Sequence, residues 1–469
     1  MGGEVAMEKK PLLSHFLWYL NIVKAVFSDA RTKRHVCEMG VASIVAACPK
    51  TITSLVEFNA RHGNPALNHG NWSASYRLLS IGKWRPEELS WAILDSALEF
   101  IGADEPVMLA IDDTLLHKTG RRIKGCAYAR DPLSPPFQAN LVWGQRILCL
   151  SVLVRSSATS AYRAVPVFFL HTPSVKIPAK ASPEEKAALV EEQKKRKMSV
   201  VAGELLAAVR RHLDGNGLSK KKLVVCVDAS FSNRSFMYGL PHDVSVVGRC
   251  RNDLRLVRPL REEEKTGKRL YGERLPTPDE MHRDGGVQEH ELVCGVMHQH
   301  AKITFKSMED VRWPTALRNQ SCSIFAIRGQ YYRKYGRKRN THPAFLVMTG
   351  DVAVTGVGGG PPGGVKPTVL LEAYLLRWEI EVGFRDQKNW LGVGKAQVRN
   401  EMSVKRTPAF MSACYAMLLM ASMKAFDDRR TEAFGPLPKW RTVAPLRPSI
   451  RDLVKELRRE VIELGNVPA

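Results

Sequence analysis

Four polar side chains recur at helical spacing in the segment that begins at Tyr374. This segment reads YLLRWEIEVGFRDQK, and Tyr374, Arg377, Glu381 and Lys388 stand at offsets of 0, 3, 7 and 14. At about 100° per residue, a helix brings these four positions into an arc of roughly 60°. One helix face would then carry a phenol, two cations and one carboxylate. That set suits a phosphate backbone running past a metal ion held at Glu381.

The other residues of this predicted helix are expected to have structural roles. Its apolar residues form a separate face that we expect to pack inward: Ala373, Leu376, Ile380 and Phe384. Glu379 and Asp386 are predicted to lie away from both faces. By helix geometry alone, the simpler interpretation is an amphipathic helix in which Glu381 pairs with Arg377 and Arg385, each pair contributing roughly a few tenths of a kcal/mol.

Other acids end two short apolar runs of the kind that form buried strands. VMLAIDDT ends with Asp112 and Asp113, and LVVCVDASF contains Asp228 directly after its apolar run. An aspartate after a strand is also a common turn former or helix N-cap, so neither motif is decisive by itself.

Three carboxylates from two strand ends and one helix would suit phosphodiester chemistry. Cleavage at phosphorus needs a nucleophile in line with the leaving oxygen, and two Mg²⁺ ions about 3.5–4 Å apart stabilise charge at both. Mg²⁺ prefers oxygen ligands and takes a few carboxylates together with water and substrate phosphate. Clustered carboxylates repel one another unless a cation is present. We therefore predict that Asp113, Asp228 and Glu381 converge on metal.

The order of elements around these acids predicts an α/β fold. A meander of strands follows Pro106, a helix and a second acid-bearing strand come next, and the helix with Glu381 comes last, which is the order of a ribonuclease-H-like core. The gap between Asp228 and Glu381 is too long for a simple loop. Its short β-rich runs alternate with basic loops and end in GVGGGPPGGVKP, a linker without the GK[ST] of a phosphate-binding loop. A β-rich insertion in the core explains this texture.

These observations divide the chain into five regions. The predicted regions are a helical, DNA-end-binding part at 1–100, the first part of the catalytic core at 101–235, the β-rich insertion domain at 236–365, the acid-bearing helix of the core at 366–400, and a helical C-terminal region at 401–469 that is a candidate for dimerisation.

The charge and the composition of the chain limit the kinds of partner that it could bind. Lys and Arg number 70 against 47 Asp and Glu, a formal net charge of +23, which favours a polyanion such as nucleic acid, although a merely basic protein is the alternative. No two of the nine cysteines form a CxxC pair, so we expect no zinc site and mostly buried, reduced thiols. The longest apolar stretch, at 413–421, is too short to span a bilayer, so we expect a cytoplasmic protein without a membrane partner.

The spacing Tyr-x2-Arg-x3-Glu-x6-Lys resembles the helix of the last catalytic acid in DDE transposases of bacterial insertion sequences, in the cut-and-paste group. AIDDT resembles the first-acid motif of that family and VVCVDASF resembles its second. Within Asp112-Asp113 the resemblance favours Asp113, which directly precedes Thr114, and leaves Asp112 as the alternative. VVGRCRND is similar to a basic strand near the active site, and the whole resemblance covers roughly residues 100–450.

This resemblance implies a Mg²⁺-dependent transposase, with two metal ions at Asp113, Asp228 and Glu381 and with Mn²⁺ as a substitute. It implies cleavage of double-stranded DNA at terminal inverted repeats, a hairpin on the transposon end, and strand transfer to target DNA from a homodimeric synapse. The residues implied to hold DNA are Tyr374, Arg377, Lys388, Arg249, Arg251 and Trp313. Trp313 would stack a flipped base, with core packing or replacement by Tyr331 or Tyr332 as alternatives.

Two other functions compete with this interpretation. One is a domesticated DNA-binding protein that keeps the fold without catalysis, and the intact acids argue against it. The other is a ribonuclease-H-like nuclease that cleaves without joining, which the large insertion and the stripe of Tyr, Arg and Lys disfavour.

Overall fold

The computed structural model describes most of the chain. The described residues are 11–46, 50–62, 72–131, 134–135, 137–241, 243–265, 267–296, 299–329, 331–334, 337–350 and 365–464, and side chains at 295–301 and 331–340 are not described. The glycine-rich linker predicted at 356–367 lies mostly outside these residues, as do the side chains of Tyr331 and Tyr332. The chain forms two compact units, the first of residues 1–102, 112–176 and 379–469 and the second of residues 103–111 and 177–378.

The fold is mixed α/β. Its described α-helices are α1 Pro11–Val23, α2 Ala30–Val45, α3 Ile52–His62, α4 Ser73–Ser80, α5 Pro86–Leu98, α6 Pro183–Lys195, α7 Met198–Gly215, α8 Arg234–Met237, α9 Pro278–Arg283, α10 Pro314–Leu317, α11 Pro367–Leu376, α12 Trp378–Asn389, α13 Glu401–Phe426 and α14 Ile450–Leu464. Its described strands are β1 Val107–His117, β2 Ala127–Arg130, β3 Leu141–Val154, β4 Arg163–His171, β5 Leu223–Val227, β6 Val244–Arg249, β7 Leu256–Val257, β8 Arg274–Leu275, β9 His290–Val296, β10 Gln299–Arg312, β11 Ser321–Ile327, β12 Tyr331–Lys334, β13 Arg337–Asn340 and β14 Ala344–Thr349.

Helix α13 is the centre of the first unit. It is apolar around its whole circumference between Ala409 and Met423, as expected for a helix enclosed by other elements. It packs against α1, α2, α4, α5 and β4. Within the described residues it is the one helix long and apolar enough to cross a bilayer, but 83% of its apolar window is buried inside the protein. The apolar stretch is longer than the sequence suggested, and its burial explains it as a core helix.

The strands of the first unit form an antiparallel arrangement around β3. Strand β3 pairs with β2 on one side of its first part and with β4 along its second part. The second half of β1 runs beside β3, where the Lys118 N–H donates to the Trp143 carbonyl at 3.0 Å. This arrangement is the meander that the sequence predicted.

The sheet of the second unit combines parallel and antiparallel pairing. The first half of β1 pairs in parallel with β5, and β5 pairs in parallel with β6. Antiparallel pairs then add β14, β11 and β10. The predicted insertion, 236–365, therefore continues this sheet through β6 and β14. Its separate domain status stays a prediction.

Two ion pairs lie in the interior of the first unit. The Arg163 guanidinium donates to Asp428 at 2.7 and 3.0 Å, and the Arg447 guanidinium donates to both oxygens of Glu379 at 3.0 and 2.8 Å. Both acids are buried, and buried charges need such partners.

A third buried acid caps a helix. The Glu460 carboxylate accepts from the Leu13 N–H at 2.6 Å, at the start of α1, and burial raises the pKa of Glu460 to about 7. The interaction joins α14 to α1.

The eight described cysteines are all buried and form no disulfide with one another, which agrees with the expectation of reduced thiols. Cys48, the ninth, lies outside the described residues.

The predicted acid-bearing helix is divided at one residue. Helix α11 ends at Leu376 and α12 begins at Trp378, although Arg377 keeps helical dihedral angles of φ −52° and ψ −33°. The Arg377 N–H donates to the Tyr374 carbonyl, three residues back, at 3.2 Å. A tight 3₁₀ turn therefore interrupts the regular hydrogen-bond ladder there.

Candidate active site

Strand β1 carries the two candidate aspartates in its middle. Its first five residues are buried, and Asp112 and Asp113 are half-buried. The Asp113 carboxylate accepts from the Arg146 Nε at 2.9 Å and from Nη2 at 3.3 Å. The acid favoured from the sequence is thus already the partner of a guanidinium on β3.

The two aspartates lie on opposite faces of β1. Successive side chains of a strand point to opposite sides, so Asp112 shares a face with Thr114 and Asp113 does not. The Lys388 Nζ donates to the Thr114 Oγ1 at 2.6 Å, which joins the end of α12 to the Asp112 face. Burial lowers the pKa of Lys388, and its position here is fixed by the strand.

The chain beyond α12 follows the same face of β1 in order. A Cβ on Gly394, whose φ is +98°, would lie 3.1 Å from the Leu116 Cβ. The Lys118 Nζ donates to the Gly394 and Ala396 carbonyls at 2.7 and 2.9 Å. Rising residue numbers from Lys388 onward therefore match rising numbers along β1, and the contacts fix the direction in which this segment runs.

Glu381 and Lys388 lie on the same face of α12. They belong to the polar stripe that helical spacing predicts for Tyr374, Arg377, Glu381 and Lys388. The two residues are two helical turns apart, about 10 Å along the axis. Thr114 and Asp112 lie on one face of β1, because side chains two residues apart in a strand point to the same side. The face of β1 that Lys388 contacts is consequently the face of Asp112.

The predicted inward face of the acid-bearing helix is confirmed, since its four apolar residues are buried: Ala373, Leu376, Ile380 and Phe384. Glu379 and Asp386, predicted to lie away from both faces, are buried as well. Glu379 is held by Arg447, and Asp386 accepts from Arg385 at 3.1 and 3.2 Å. Burial raises the pKa of Asp386, and the charge of Arg385 opposes that rise. Arg447 from a distant segment and Arg385 from the same helix make this burial tolerable.

The second unit brings four predicted residues near one another. Asp228 follows β5 and is half-buried. Burial raises the pKa of the Tyr374 phenol, while the charges of Arg377 and Arg249 lower it and the charge of Asp228 raises it further. Tyr374 therefore lies within electrostatic reach of two cations and of one candidate metal ligand.

Two other residues predicted to bind DNA, Arg251 and Trp313, make contacts within the protein. Arg251 is exposed and pairs with Asp253 at 2.6 Å. Trp313 is 6% exposed and precedes the short helix α10. Its ring packs in the second unit, as the alternative of core packing had it, so the burial leaves little surface for stacking a base.

The carboxylates of the candidate site have the chemistry that Mg²⁺ prefers. Asp112, Asp113 and Glu381 in the first unit and Asp228 in the second are all half-buried, so their oxygen atoms are neither sealed in the core nor fully solvated. Among the described residues, no group of three or more His, Cys, Asp or Glu side chains is close enough to hold a metal ion. The convergence of the three acids stays a prediction.

Sequence reasoning missed Arg146 and the role of Thr114. Arg146 is the one charged residue of the mostly apolar strand β3, and a lone cation in such a strand indicates a nearby acid. Lys388 was expected to contact phosphate, but its ammonium donates to a hydroxyl of β1. Because the partners are far apart in sequence, no local pattern reveals either contact.

Comparison with known proteins gives one family. A family model described as DDE superfamily endonuclease matches residues 27–302, which is more than half of the chain and includes Asp112, Asp113 and Asp228. No curated protein matches significantly. The matched region contains α2 to α5, the meander around β3 and the sheet of β1, β5 and β6. The chain belongs to the DDE superfamily of endonucleases.

Proposed function

We propose that this endonuclease is a transposase that cuts and joins the ends of a mobile DNA element. The contact between Lys388 and Thr114 is the observation that carries the proposal. It joins the helix that carries Glu381 to the strand that carries Asp112 and Asp113 in its middle. A ribonuclease-H-like core has this relation between its first strand and its last helix.

Three acids would hold the metal ions in this proposal. They are Glu381, Asp228 and one aspartate of β1, and we favour Asp112 because it lies on the face that α12 covers. When bound, two Mg²⁺ ions, or Mn²⁺ in their place, would supply the charge that stabilises an in-line displacement at phosphorus. The chain itself orients the carboxylates, and Arg146 holds Asp113 away from that face.

The cations around the acids would grip the DNA end. Arg377 can bind a phosphate bidentately, whereas Lys388 acts as a point charge. Tyr374 and Arg249 lie close to Asp228 and would contact the same strand. We propose that Glu381 acts on the chemistry and that Tyr374, Arg377 and Lys388 shape the DNA end.

The proposed reaction has a nick, a hairpin on the transposon end, reopening of that hairpin, and transfer of the 3′-OH to target DNA. Each step is a displacement at phosphorus, so one set of acids can serve all of them. Two copies of the chain would pair two ends, with helices of 401–469 as a candidate dimer surface. The reaction would take place on DNA in the cytoplasm, without a membrane partner.

A strand-specific assay tests this proposal. Terminal inverted repeats flanking the coding sequence would be cloned, end-labelled and incubated with the protein and Mg²⁺. A nick, a hairpin and then a joined product are expected on denaturing gels. Cleavage without joining would instead support a nuclease of the same family, and DNA binding without cleavage would support a domesticated binding protein.

Salt dependence of DNA binding gives an independent check. Because the formal net charge is +23, phosphate neutralisation should release many counterions, and affinity should fall steeply as salt rises. A log–log slope near zero would show that the basic excess is not used on DNA.

A further inference from the structure

A cavity lies among the N-terminal helices of the first unit. Its volume is about 860 Å³, which falls in the range of roughly 300–1,000 Å³ typical of ligand pockets. It is lined by residues of α2, α3, α4 and the turn before α5. Among the described residues that line it are Arg31, Arg34, Asn59, Trp72, Arg77 and Lys83.

Asn59 gives this cavity an unmet hydrogen-bonding capacity. Its side chain is 3% exposed, and neither the amide oxygen nor the amide nitrogen has a hydrogen-bond partner. Buried amides are nearly always hydrogen-bonded because leaving them unpaired is costly. Asn59 is one of the residues that line the cavity, and a planar ligand with the complementary donor and acceptor would satisfy both of its amide atoms.

The charge of the lining indicates an anionic ligand. Arg31, Arg34, Arg77 and Lys83 are all exposed at the cavity. Among the described lining residues Asp29 is the one acid, and its carboxylate accepts from the Thr32 N–H at 2.8 Å as the N-cap of α2. The cations thus outnumber the acid, whose oxygens serve the helix.

Trp72 adds an aromatic surface. Its side chain is 62% exposed, and its ring centroid lies 5.7 Å from that of Tyr76 in an edge-on arrangement. Exposed indole rings next to cations are the usual platform for nucleobases, because every base has a π-face.

We propose that this cavity binds one nucleotide of DNA whose base lies outside the helical stack, with a preference for adenine. The cations would contact its phosphate, Trp72 would stack on the base, and the Asn59 amide would bind the base edge, as Asn does with the N6 and N7 atoms of adenine. A base inside a duplex cannot reach a side chain as buried as Asn59, so the nucleotide has to leave the stack. The inference rests on the proposed function for its DNA partner and adds a site far along the chain from the acids.

Binding of three duplexes to the full chain tests the inference. They are identical except that the first has a single unpaired adenine, the second a single unpaired thymine, and the third no unpaired base. Anisotropy should give an affinity about tenfold higher for the adenine duplex than for the paired duplex, equivalent to about 1.4 kcal/mol. Unpaired 2-aminopurine in place of adenine should lose fluorescence on binding, as stacking on Trp72 requires.

Three variants define the site. Asn59→Leu should remove the difference between adenine and thymine and should melt no lower than the wild type, because it removes an unpaired buried amide. Trp72→Ala should lose the 2-aminopurine quenching. Arg61→Ala, an exposed change on α3 away from the described lining, is the matched control and should keep both signals.

The outcomes separate this inference from the function on which it rests. Equal affinity for all three duplexes, or a preference for adenine that survives Asn59→Leu, would overturn the nucleotide site while leaving the transposase proposal intact. Failure of the wild type to bind any of these duplexes would count against the proposed function as well. If Asn59→Leu does not fold, the Trp72→Ala quenching measurement still decides.

Discussion

Charged residues of the first unit behave differently in its interior and at the candidate site. Arg163 with Asp428 and Arg447 with Glu379 are almost completely removed from solvent, with side chains from 0 to 21% exposed. The pair of Arg146 with Asp113 is 48 and 22% exposed. The two interior carboxylates accept hydrogen bonds from guanidinium groups, and their side chains are at most 2% exposed. At the site, carboxylates remain half-exposed, where a metal ion or a phosphate could still reach them.

Whether an acid serves the core or the candidate site is best judged from the face that it occupies and from its partners. Glu379 and Glu381 are two residues apart on one helix. Arg447 holds the first in the core, whereas the second lies on the stripe that leads to Lys388. Similarly, Asp112 and Asp113 are neighbours on one strand but serve opposite faces. Four predictions test this distinction.

The largest effect is expected on catalysis. Asp112→Asn and Glu381→Gln should each lower the rate of the first nick on the order of 10³-fold or more, equivalent to about 4 kcal/mol of barrier. Asp113→Asn should lower it much less, because its carboxylate is committed to Arg146. Strand-specific gels measure the nick, and anisotropy should show nearly unchanged DNA binding. Titration with Mn²⁺ followed by electron paramagnetic resonance should show weaker binding for the first two variants. The reverse order of Asp112 and Asp113 would contradict the assignment by strand face.

Breaking an interior pair should have the next largest effect, on stability. Arg163→Met leaves the buried Asp428 carboxylate without its guanidinium, and the free energy of unfolding should fall by about 3–5 kcal/mol. Denaturant titration followed by circular dichroism measures this change. A loss below about 1 kcal/mol would place the pair with ordinary surface ion pairs.

The raised pKa of Glu460 should make the free energy of unfolding depend on pH. Its pKa is raised from 4.5 in the unfolded chain to about 7 in the folded one, so the folded state holds this proton more tightly. The resulting stabilisation is complete below the unfolded pKa and is lost as pH rises through the folded pKa. Against Glu460→Gln, the free energy of unfolding of the wild type should fall by about 3 kcal/mol across this window. Comparing the two proteins cancels the opposite contribution of His171, whose pKa is lowered by burial to about 4.

The smallest effect belongs to the exposed pair. Arg146→Met should change the free energy of unfolding by less than about 1 kcal/mol, because both partners are partly solvated. The same denaturant titration, run beside Arg163→Met, gives the contrast directly. A double-mutant cycle with Asp113→Asn should return a coupling energy of that size. A coupling of several kcal/mol would make this pair part of the core.

The sequence predicts the elements of this fold better than it predicts their partners. The apolar runs before Asp113 and Asp228 gave β1 and β5 because continuous apolar runs are typical of buried strands. Helical spacing predicted the buried face of Ile380 and Phe384 correctly. The same spacing does not reveal the burial of Glu379, because that burial depends on Arg447 from a distant segment. Strand alternation separates Asp112 from Asp113 in the sequence, but only a contact across the fold, Lys388 with Thr114, says which face matters. The choice between them stays a prediction.

The position of Asp428 and Arg447 has a consequence for the order in which the protein matures. Both partners lie C-terminal to the residues that they neutralise, Arg163 and Glu379. During synthesis, α12 emerges from the ribosome before Arg447 exists, so Glu379 then lacks the guanidinium that binds both of its oxygens. We therefore expect helix α12, which carries Glu381, to reach its final packing only after the segment of residues 427–448 has been made. Proteolytic removal of that segment should undo the same step, and we expect nuclease activity to depend on a stretch that holds none of the candidate acids.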